Sequence, residues 1–445
     1  MLRNSTLVLT KQRRLAELAA QSPQMGFTSL AYLMDLEWLK EAYRRTRKDA
    51  AVGVDGQTAA DYERELEANL RSLLERAKSG QYKAPPVKRV YLPKPGRPEQ
   101  HRQIGMPTLE DKVLQRAVAM LLEPIYEQDF LACSYGFRPE RSAHQALEDL
   151  WKQAMDQAGG CIVEVDIEHF FDTLDWAHLR TFLQQRIRDG VVLRLIGKWL
   201  HAGVLEEGKL SFPEAGTPQG GVISPLLSNV YLHYVLDAWF AQQIRPRLCG
   251  GAYLIRYCDD FVLGFTQEGD AQRVLAVLPK RFGRYGLRLH PDKTRLVPFQ
   301  RPSATATGQR GGPGHQARSF ELLGFTHYWG RSRRGTWVIK RKTASSRLSR
   351  ALLKITQWCR EHRHQPVKEQ HRILSLKLRG HDAYYGITGN GAALASFHHQ
   401  VPHIWRKWLS RRRRGPLIPW ARFKRLLDRY PLPPARVVHS VLTPA

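Results

Sequence analysis

The chain has 445 residues, with 69 Lys and Arg against 41 Asp and Glu, for a formal net charge of +28. At about 100–200 residues per domain this is two to four domains, and 42% apolar residues exclude wholesale disorder. So large an excess repels itself unless something anionic binds, which puts nucleic acid first and an anionic membrane surface second. No stretch approaches about 18 consecutive apolar residues, so no membrane span is expected. The apolar patch Leu7–Leu9 is followed by Lys11, Arg13 and Arg14 and makes a poor secretory signal. Cys133, Cys161, Cys249, Cys258 and Cys359 are scattered and contain no C-x-x-C pair. Zinc knuckles and a disulfide framework are therefore not expected, and a reducing, cytoplasmic location is.

In chain order, residues 1–80 read as a mostly helical extension. The run Asp61–Lys78 places Leu66, Leu70, Leu73, Leu74 and Ala77 on one helical face, with Gly80 as C-cap. Strands are predicted over Val87–Leu92 and Gln103–Met106, around the turn Pro93-Lys94-Pro95-Gly96. Helices follow over Leu109–Ile125 and Ser142–Gln157, then a strand over Cys161–Ile167 and helical pattern from Trp176 to about Ala202. Gly216–Pro225 is a loop leading into a helix that runs through Leu236. Tyr253–Tyr257 and Phe261–Phe265 are short apolar runs flanking Asp259-Asp260, the pattern of a hairpin. Residues 301–317 are rich in Gly, Ser, Thr and Pro and read as a flexible insertion. From Thr343 the pattern is helical and basic with interleaved aromatics. The domains expected are 1–80, 81–340, 341–430 and a tail over 431–445.

A chain this basic uses acids sparingly, so acids with apolar flanks are read first. Asp166 lies near the end of an apolar strand, and Asp259 and Asp260 sit at a hairpin turn. Three carboxylates brought together repel unless neutralised. Two Mg²⁺ ions, with Mn²⁺ as a substitute, suit such hard oxygen donors and would stabilise the attacking and leaving oxygens of an in-line displacement. Side chains alternate along a strand, so Asp166 and Asp259 are expected as the shared ligands with Asp260 assisting. Plain turn chemistry is the competing explanation of Asp259-Asp260.

Tyr257-Cys258-Asp259-Asp260 resembles the tetrapeptide of reverse transcriptases. Leu92–Gly96, Arg102–Thr108, Ser134–Pro139, Asp166 with Phe170-Phe171, Gly216–Gly221, Asp292–Thr294 and Leu322–Phe325 match further segments in the expected order. Together they resemble the reverse transcriptases encoded by bacterial group II introns, which also act as splicing maturases, over roughly residues 30–430. Gly53–Gly56 is similar to that family's N-terminal extension. The resemblance implies an α+β right-hand polymerase, with fingers and an antiparallel palm sheet carrying the acids, followed by an α-helical thumb or maturase domain.

It also implies roles. Phe171 would pack under the incoming sugar and favour dNTPs, while Phe170 or Phe171 is plain core. Lys94 and Arg102 would meet the triphosphate, with Arg97 as a nearby alternative. Gln219 would contact the sugar or base, and Lys293 the leaving phosphate. Leu323, Gly324 and Phe325 would form the primer grip. Arg347, Arg350 and the run Arg411, Arg412, Arg413 and Arg414 would bind RNA phosphates. Trp405 and Trp408 share a helical face and read as packing rather than base-stacking residues. In Gly380-His381-Asp382-Ala383-Tyr384-Tyr385, His and Ala stand where the family usually has Trp and Asn. The cysteine pairs of the family's H-N-H endonuclease are missing, so second-strand cleavage is not expected.

The partners implied are group II intron RNA, an RNA template with a DNA primer, dNTPs and target DNA, and no membrane. Two other functions remain open at this level: an RNA-binding maturase that makes little use of its polymerase, and a cellular or defence reverse transcriptase outside introns.

Overall fold

The structure is a computed structural model. It describes residues 2–94, 97–206, 208–217, 220–302, 318–332, 334–412 and 416–440, apart from the side chains of residues 2–5, 94, 97, 98 and 100. Two compact units interleave along the chain. The first comprises Met1–Ala146, Val165–Leu263 and Gly269–Arg295; the second comprises Leu147–Glu164, Gly264–Glu268 and Leu296–Ala445. The boundary expected near residue 340 falls inside the second unit.

The N-terminal helices are α1 (Leu2–Gln21), α2 (Leu36–Arg45), α3 (Ala59–Glu63) and α4 (Leu66–Ser79). The single helix expected over Asp61–Lys78 is broken at Arg64-Glu65. The break leaves Tyr62 buried and stacked 6.1 Å from Tyr43, while Leu70, Leu73 and Ala77 face the core. The carbonyl of Tyr62 is satisfied by the Asn69 side chain at 3.0 Å. Gly80 ends α4 in the left-handed conformation, as its position predicts.

Strands β1 (Val87–Lys94) and β2 (Arg97–Met106) form an antiparallel hairpin, with Leu92 opposite Arg102. Next come α5 (Leu109–Asp129), α6 (Ala143–Asp156), β3 (Cys161–Glu168), the short α7 (Phe170–Thr173), α8 (Trp176–Arg186) and α9 (Gly190–Leu200). The helical pattern expected from Trp176 to about Ala202 is therefore divided between two helices. Residues 186–188 bond to Phe27 on both sides, and Asp189 caps α9 through the amides of Val191 and Val192. Pairing with a chain segment some 160 residues away overrides local helix propensity here.

Strands β4 (Val204–Glu206) and β5 (Lys209–Ser211) extend the first hairpin into a sheet of order β2-β1-β4-β5. Helix α10 (Ser224–Leu232) continues as wider π turns over His233–Asp237 and Phe240–Ile244. Strands β6 (Ala252–Tyr257) and β7 (Asp260–Phe265), helix α11 (Glu268–Gly283) and strands β8 (Arg288–Leu289) and β9 (Arg295–Pro298) follow. The second sheet has the order β6-β7-β3-β8, with β9 also paired to β3.

In the second unit, β10 (Phe320–Leu322), β11 (Phe325–Arg331) and β12 (Trp337–Thr343) form an antiparallel meander. Four helices follow: α12 (Ser345–Glu361), α13 (Val367–Tyr385), α14 (Gly391–Ser410) and α15 (Trp420–Arg429). Their core is built on Ile355, Leu374, Leu378, Phe397, Val401 and Trp405. Trp405 is fully buried and donates to Gln370 at 2.9 Å, so it is the packing residue its spacing predicts; Trp408 packs on the same cluster from its edge.

His381, standing where the family usually has Trp, stacks 3.8 Å from Phe397, and burial lowers its pKa to about 4. A neutral imidazole thus does the work of an aromatic. Residues 431–440 do not trail off as a tail. They lie along α13 and α14, held by Asp382, Gly386, His398 and the amides of Arg436, Val438 and His439.

Among the described residues no helix is long and apolar enough to cross a membrane.

One buried acid in the first unit sets a pH dependence. Asp111 sits in the first turn of α5, accepts the Tyr82 hydroxyl at 2.6 Å and the Gln115 amide at 3.1 Å, and burial raises its pKa to about 6. Above the unfolded value of about 4 the unfolded chain gives up this proton while the folded chain keeps it, so stability falls between pH 4 and pH 6. Asp111→Asn removes that slope. Urea unfolding is expected to show the variant gaining on the parent by about 2 kcal/mol from pH 4 to pH 6; a difference independent of pH would contradict this.

Candidate active site

Two of the three candidate acids, Asp166 on β3 and Asp260 on β7, stand on neighbouring strands of the second sheet, and Asp259 lies in the turn before β7. Asp166 is the sixth residue of β3, with Val165 and Ile167 buried on one face and Asp166 directed to the other. Its carbonyl accepts the amide of His290 at 2.8 Å, and its carboxylate accepts Lys293 Nζ at 3.0 Å. Lys293, expected at the leaving phosphate, is thus drawn to a carboxylate; both side chains are about half exposed. Asp259 lies in the turn between β6 and β7, half-buried, and Asp260 opens β7, exposed.

Among the described residues no three His, Cys, Asp or Glu side chains are grouped closely enough to hold a metal ion. The donor chemistry nevertheless fits a hard divalent cation: all three groups are carboxylates, and Asp166 already attracts an ammonium group.

Several features outside the expected set build the turn that carries Asp259. Cys258 has φ +60°, a left-handed conformation costly for a residue with a Cβ. Its carbonyl accepts Arg256 Nη1 at 3.1 Å. Arg256 is fully buried and forms a two-point bond with Asp237, Nε–Oδ1 2.8 Å and Nη2–Oδ2 2.6 Å. Its remaining donors reach Asn229 Oδ1 at 3.0 Å and Ser134 Oγ at 2.7 Å. Asn229 in turn donates to the carbonyl of Gly136 at 2.7 Å. Gly136 lies so close that a Cβ there would stand 2.5 Å from the amide nitrogen of Cys258. The segment Ser134–Pro139 therefore backs the turn. Burial pushes the Cys258 thiol pKa well up, which keeps it protonated and inert.

Phe170 is buried core, and Phe171 is half-buried with its ring 5.4 Å from that of Phe170. The Phe171 carbonyl accepts the amide of Thr217 at 2.7 Å, bringing the Gly-Thr-Pro-Gln-Gly-Gly loop against α7. Gly216 has φ +91°, and a Cβ there would meet the carbonyl oxygens of Asp172 and Phe171 at 2.7 and 2.8 Å, so only glycine fits. A cavity of about 120 Å³ opens beside Phe171 and is lined also by Gln103, Gly105, Gly216 and Thr217. The far end of the loop is pinned by Gln115, whose Oε1 accepts the amides of Val222 and Ile223 at 2.8 and 3.3 Å. Gln219 itself lies outside the described residues, as do the side chains of Lys94 and Arg97. Arg102 is exposed on β2.

In the second unit, Leu323 and Gly324 form the two-residue turn joining β10 to β11, both with positive φ (+52° and +80°). The Leu323 carbonyl accepts the Tyr384 hydroxyl at 2.8 Å, and Phe325 is buried against Tyr384, Tyr385 and Ile387. The Tyr384-Tyr385 pair thus holds the segment expected to grip the primer.

Arg347 is exposed beside Gly324. Arg350 Nε donates to the Ser346 carbonyl at 2.9 Å, and Arg411 lies 4.9 Å over the Trp408 ring. Arg412 departs from expectation: two of its nitrogens donate to the carbonyls of Arg363 and Gln365, so it ties a turn together rather than presenting a free cation. Arg413 and Arg414 lie outside the described residues.

Comparison with known proteins accords with this arrangement. Residues 92–327 match the family model described as reverse transcriptase (RNA-dependent DNA polymerase). Protein YkfC of Escherichia coli K12 is 35% identical over 65% of this chain and 84% of its own length. The group II intron-encoded protein LtrA of Lactococcus lactis is 40% identical over 38% of this chain, a match spanning 27% of LtrA. A protein encoded in the cob intron of Schizosaccharomyces pombe is 36% identical over 36% of this chain and 20% of its own length. The family match covers more than half of the chain and contains every acid of the site, so the chain belongs to the reverse transcriptases, the RNA-dependent DNA polymerases.

Proposed function

We propose that this chain copies RNA into cDNA at the Asp166–Asp259–Asp260 site and that its template and partner is a group II intron RNA, whose splicing and mobility it assists. The observation that carries the intron assignment is its likeness, at 40% and 36% identity over 38% and 36% of the chain, to proteins named as encoded in or lying in introns. Two Mg²⁺ ions held by these carboxylates would supply charge neutralisation at the attacking 3′-oxygen and the leaving pyrophosphate.

The chain's own residues do the rest. Asp166 offers its carboxylate from β3 and Asp259 from the turn that leads into the neighbouring strand β7. Lys94 and Arg102 on the first hairpin bind the triphosphate. Phe171 closes the floor under the sugar, and Gln219 reads the sugar or base. Lys293 moves from Asp166 toward the pyrophosphate when the site fills. Leu323–Phe325 position the primer end, and α12–α15 act as the thumb, with Arg347, Arg350 and Arg411 on RNA phosphates.

Phe171→Ala is expected to raise the incorporation of ribonucleotides relative to deoxyribonucleotides by on the order of ten- to a hundredfold in competition assays. Replacing Arg347 and Arg411 together by Ala is expected to weaken RNA binding and reduce the salt slope of the affinity by about two. The intron assignment is tested by purifying the full chain from its native host and sequencing the RNA bound to it. An excised intron lariat is the expected cargo; RNA drawn at random from the transcriptome would overturn the assignment.

A further inference from the structure

We infer that Arg256, clamped by Asp237, Asn229 and Ser134, is the positioning residue of the polymerase site: it holds Cys258 in its left-handed conformation and so aims the Asp259 carboxylate. The inference rests on the assignment of Asp259 to the metal site and extends it to residues that touch neither metal nor substrate.

The argument begins with cost. A fully buried guanidinium with a fully buried carboxylate is an expensive way to fill a core, since an apolar pair of similar volume is often as stable or more so. Core filling alone therefore does not explain the pair. The fork of Arg256 has a second task, because one of its nitrogens ends on the carbonyl of Cys258, inside the turn. Cys258 is one of only six non-glycine residues with positive φ among those described, and it directly precedes Asp259. Such a conformation persists only where surrounding contacts over-determine it. Here the contacts come from two sides: the Arg256 donor on the carbonyl, and the backbone of Gly136 against the amide.

The clamp is itself held in place. Asp237 lies in the first π turn after α10, where the widened helix directs its carboxylate onto both Nε and Nη2. Asn229 bonds both arms, Arg256 through its oxygen and Gly136 through its nitrogen. The backbone of Arg256 is fixed too, its amide donating to the Cys133 carbonyl at 2.8 Å and its carbonyl accepting the amide of Tyr135 at 2.9 Å. Every freedom of the arginine is thus removed before it reaches the turn, as accurate aiming of a ligand requires.

The test uses the full chain on an RNA template with a DNA primer, reading the single-turnover rate at saturating dNTP, the apparent dNTP and primer–template affinities, and the Mg²⁺ concentration giving half the maximal rate. Arg256→Lys keeps the charge but loses the fork. It is expected to lower the rate by about ten- to a hundredfold and raise the Mg²⁺ requirement, while both affinities stay close to those of the parent. Adding Cys258→Gly to Arg256→Lys is expected to restore about tenfold, because glycine takes the left-handed conformation without a clamp. Loss of a merely structural residue would not be repaired in that way.

Ser134→Ala removes a single hydroxyl from the clamp and guards against an Arg256→Lys protein that does not fold; it is expected to show the same pattern at smaller amplitude, also relieved by Cys258→Gly. A folded Arg256→Lys protein with the parental rate overturns the inference. So does a rate loss that Cys258→Gly does not relieve, or, where Arg256→Lys fails to fold, a Ser134→Ala protein indistinguishable from the parent. Asp259→Ala separates the two levels: if it leaves synthesis intact the site assignment itself falls, whereas if it abolishes synthesis and the clamp variants do not matter, only the inference falls.

Discussion

Asp259→Ala is expected to reduce primer extension on RNA by roughly a thousandfold or more while leaving RNA binding nearly unchanged. The two readouts separate because the residue serves one task. Asp259 sits half-buried in a two-residue turn and supports no core, so its removal costs the fold little. Its loss removes one carboxylate from a set of three in a chain that carries +28 overall, and the remaining acids then face divalent cations with a weaker field. On the proposed reading RNA affinity comes from cations spread over other surfaces, and deleting one acid is not expected to diminish it. Extension assays and filter binding on the same preparation decide the matter; equal extension by variant and parent would remove Asp259 from the site.

Asp237→Ala is expected to destabilise the first unit by about 3–5 kcal/mol in urea unfolding, because it strands the Arg256 charge in a fully buried position. Both side chains of the pair are completely buried, and Asp237 supplies both acceptors of the arginine fork. Replacing the two together by apolar residues, Arg256→Met with Asp237→Leu, is expected to recover most of that stability. It is not expected to recover DNA synthesis, since the Cys258 carbonyl still lacks its donor. Stability and activity would therefore part company in the double variant. A double variant as unstable as Asp237→Ala would mean that the pair contributes net stability and does not merely avoid a stranded charge.

The elements that place the acids were legible in the sequence because their signals are local. Alternation over Cys161–Ile167 and the paired apolar runs around Asp259-Asp260 predict β3 and the β6–β7 hairpin within one or two residues. Gly80 predicts its own left-handed cap. The breaks at Arg64-Glu65 and at 187–189 were not legible, since the first follows from burial of Tyr62 against Tyr43 and the second from pairing with Phe27. The unit boundary was hidden for a similar reason: the second unit takes Leu147–Glu164 and Gly264–Glu268 from far upstream of its main segment.

The clamp also has a signal in the sequence. Asp237 stands between Val235-Leu236 and Ala238-Trp239-Phe240, so it is an apolar-flanked acid of the kind that singled out Asp166. Arg256 interrupts an otherwise apolar strand. A charge of each sign in a buried pattern is evidence that the two meet. Arg412 shows the converse: within a run of four arginines nothing in the sequence marks the one whose donors are consumed by the carbonyls of Arg363 and Gln365.

The most direct measurement is single-nucleotide addition by the unaltered full chain to a DNA primer on an RNA template, followed against Mg²⁺ concentration. Template-dictated addition of one deoxynucleotide is expected, with a rate that rises more steeply than the first power of Mg²⁺ before saturating and that EDTA stops. Absence of addition with either Mg²⁺ or Mn²⁺, or addition undiminished by EDTA, would contradict an RNA-directed DNA polymerase built on Asp166, Asp259 and Asp260.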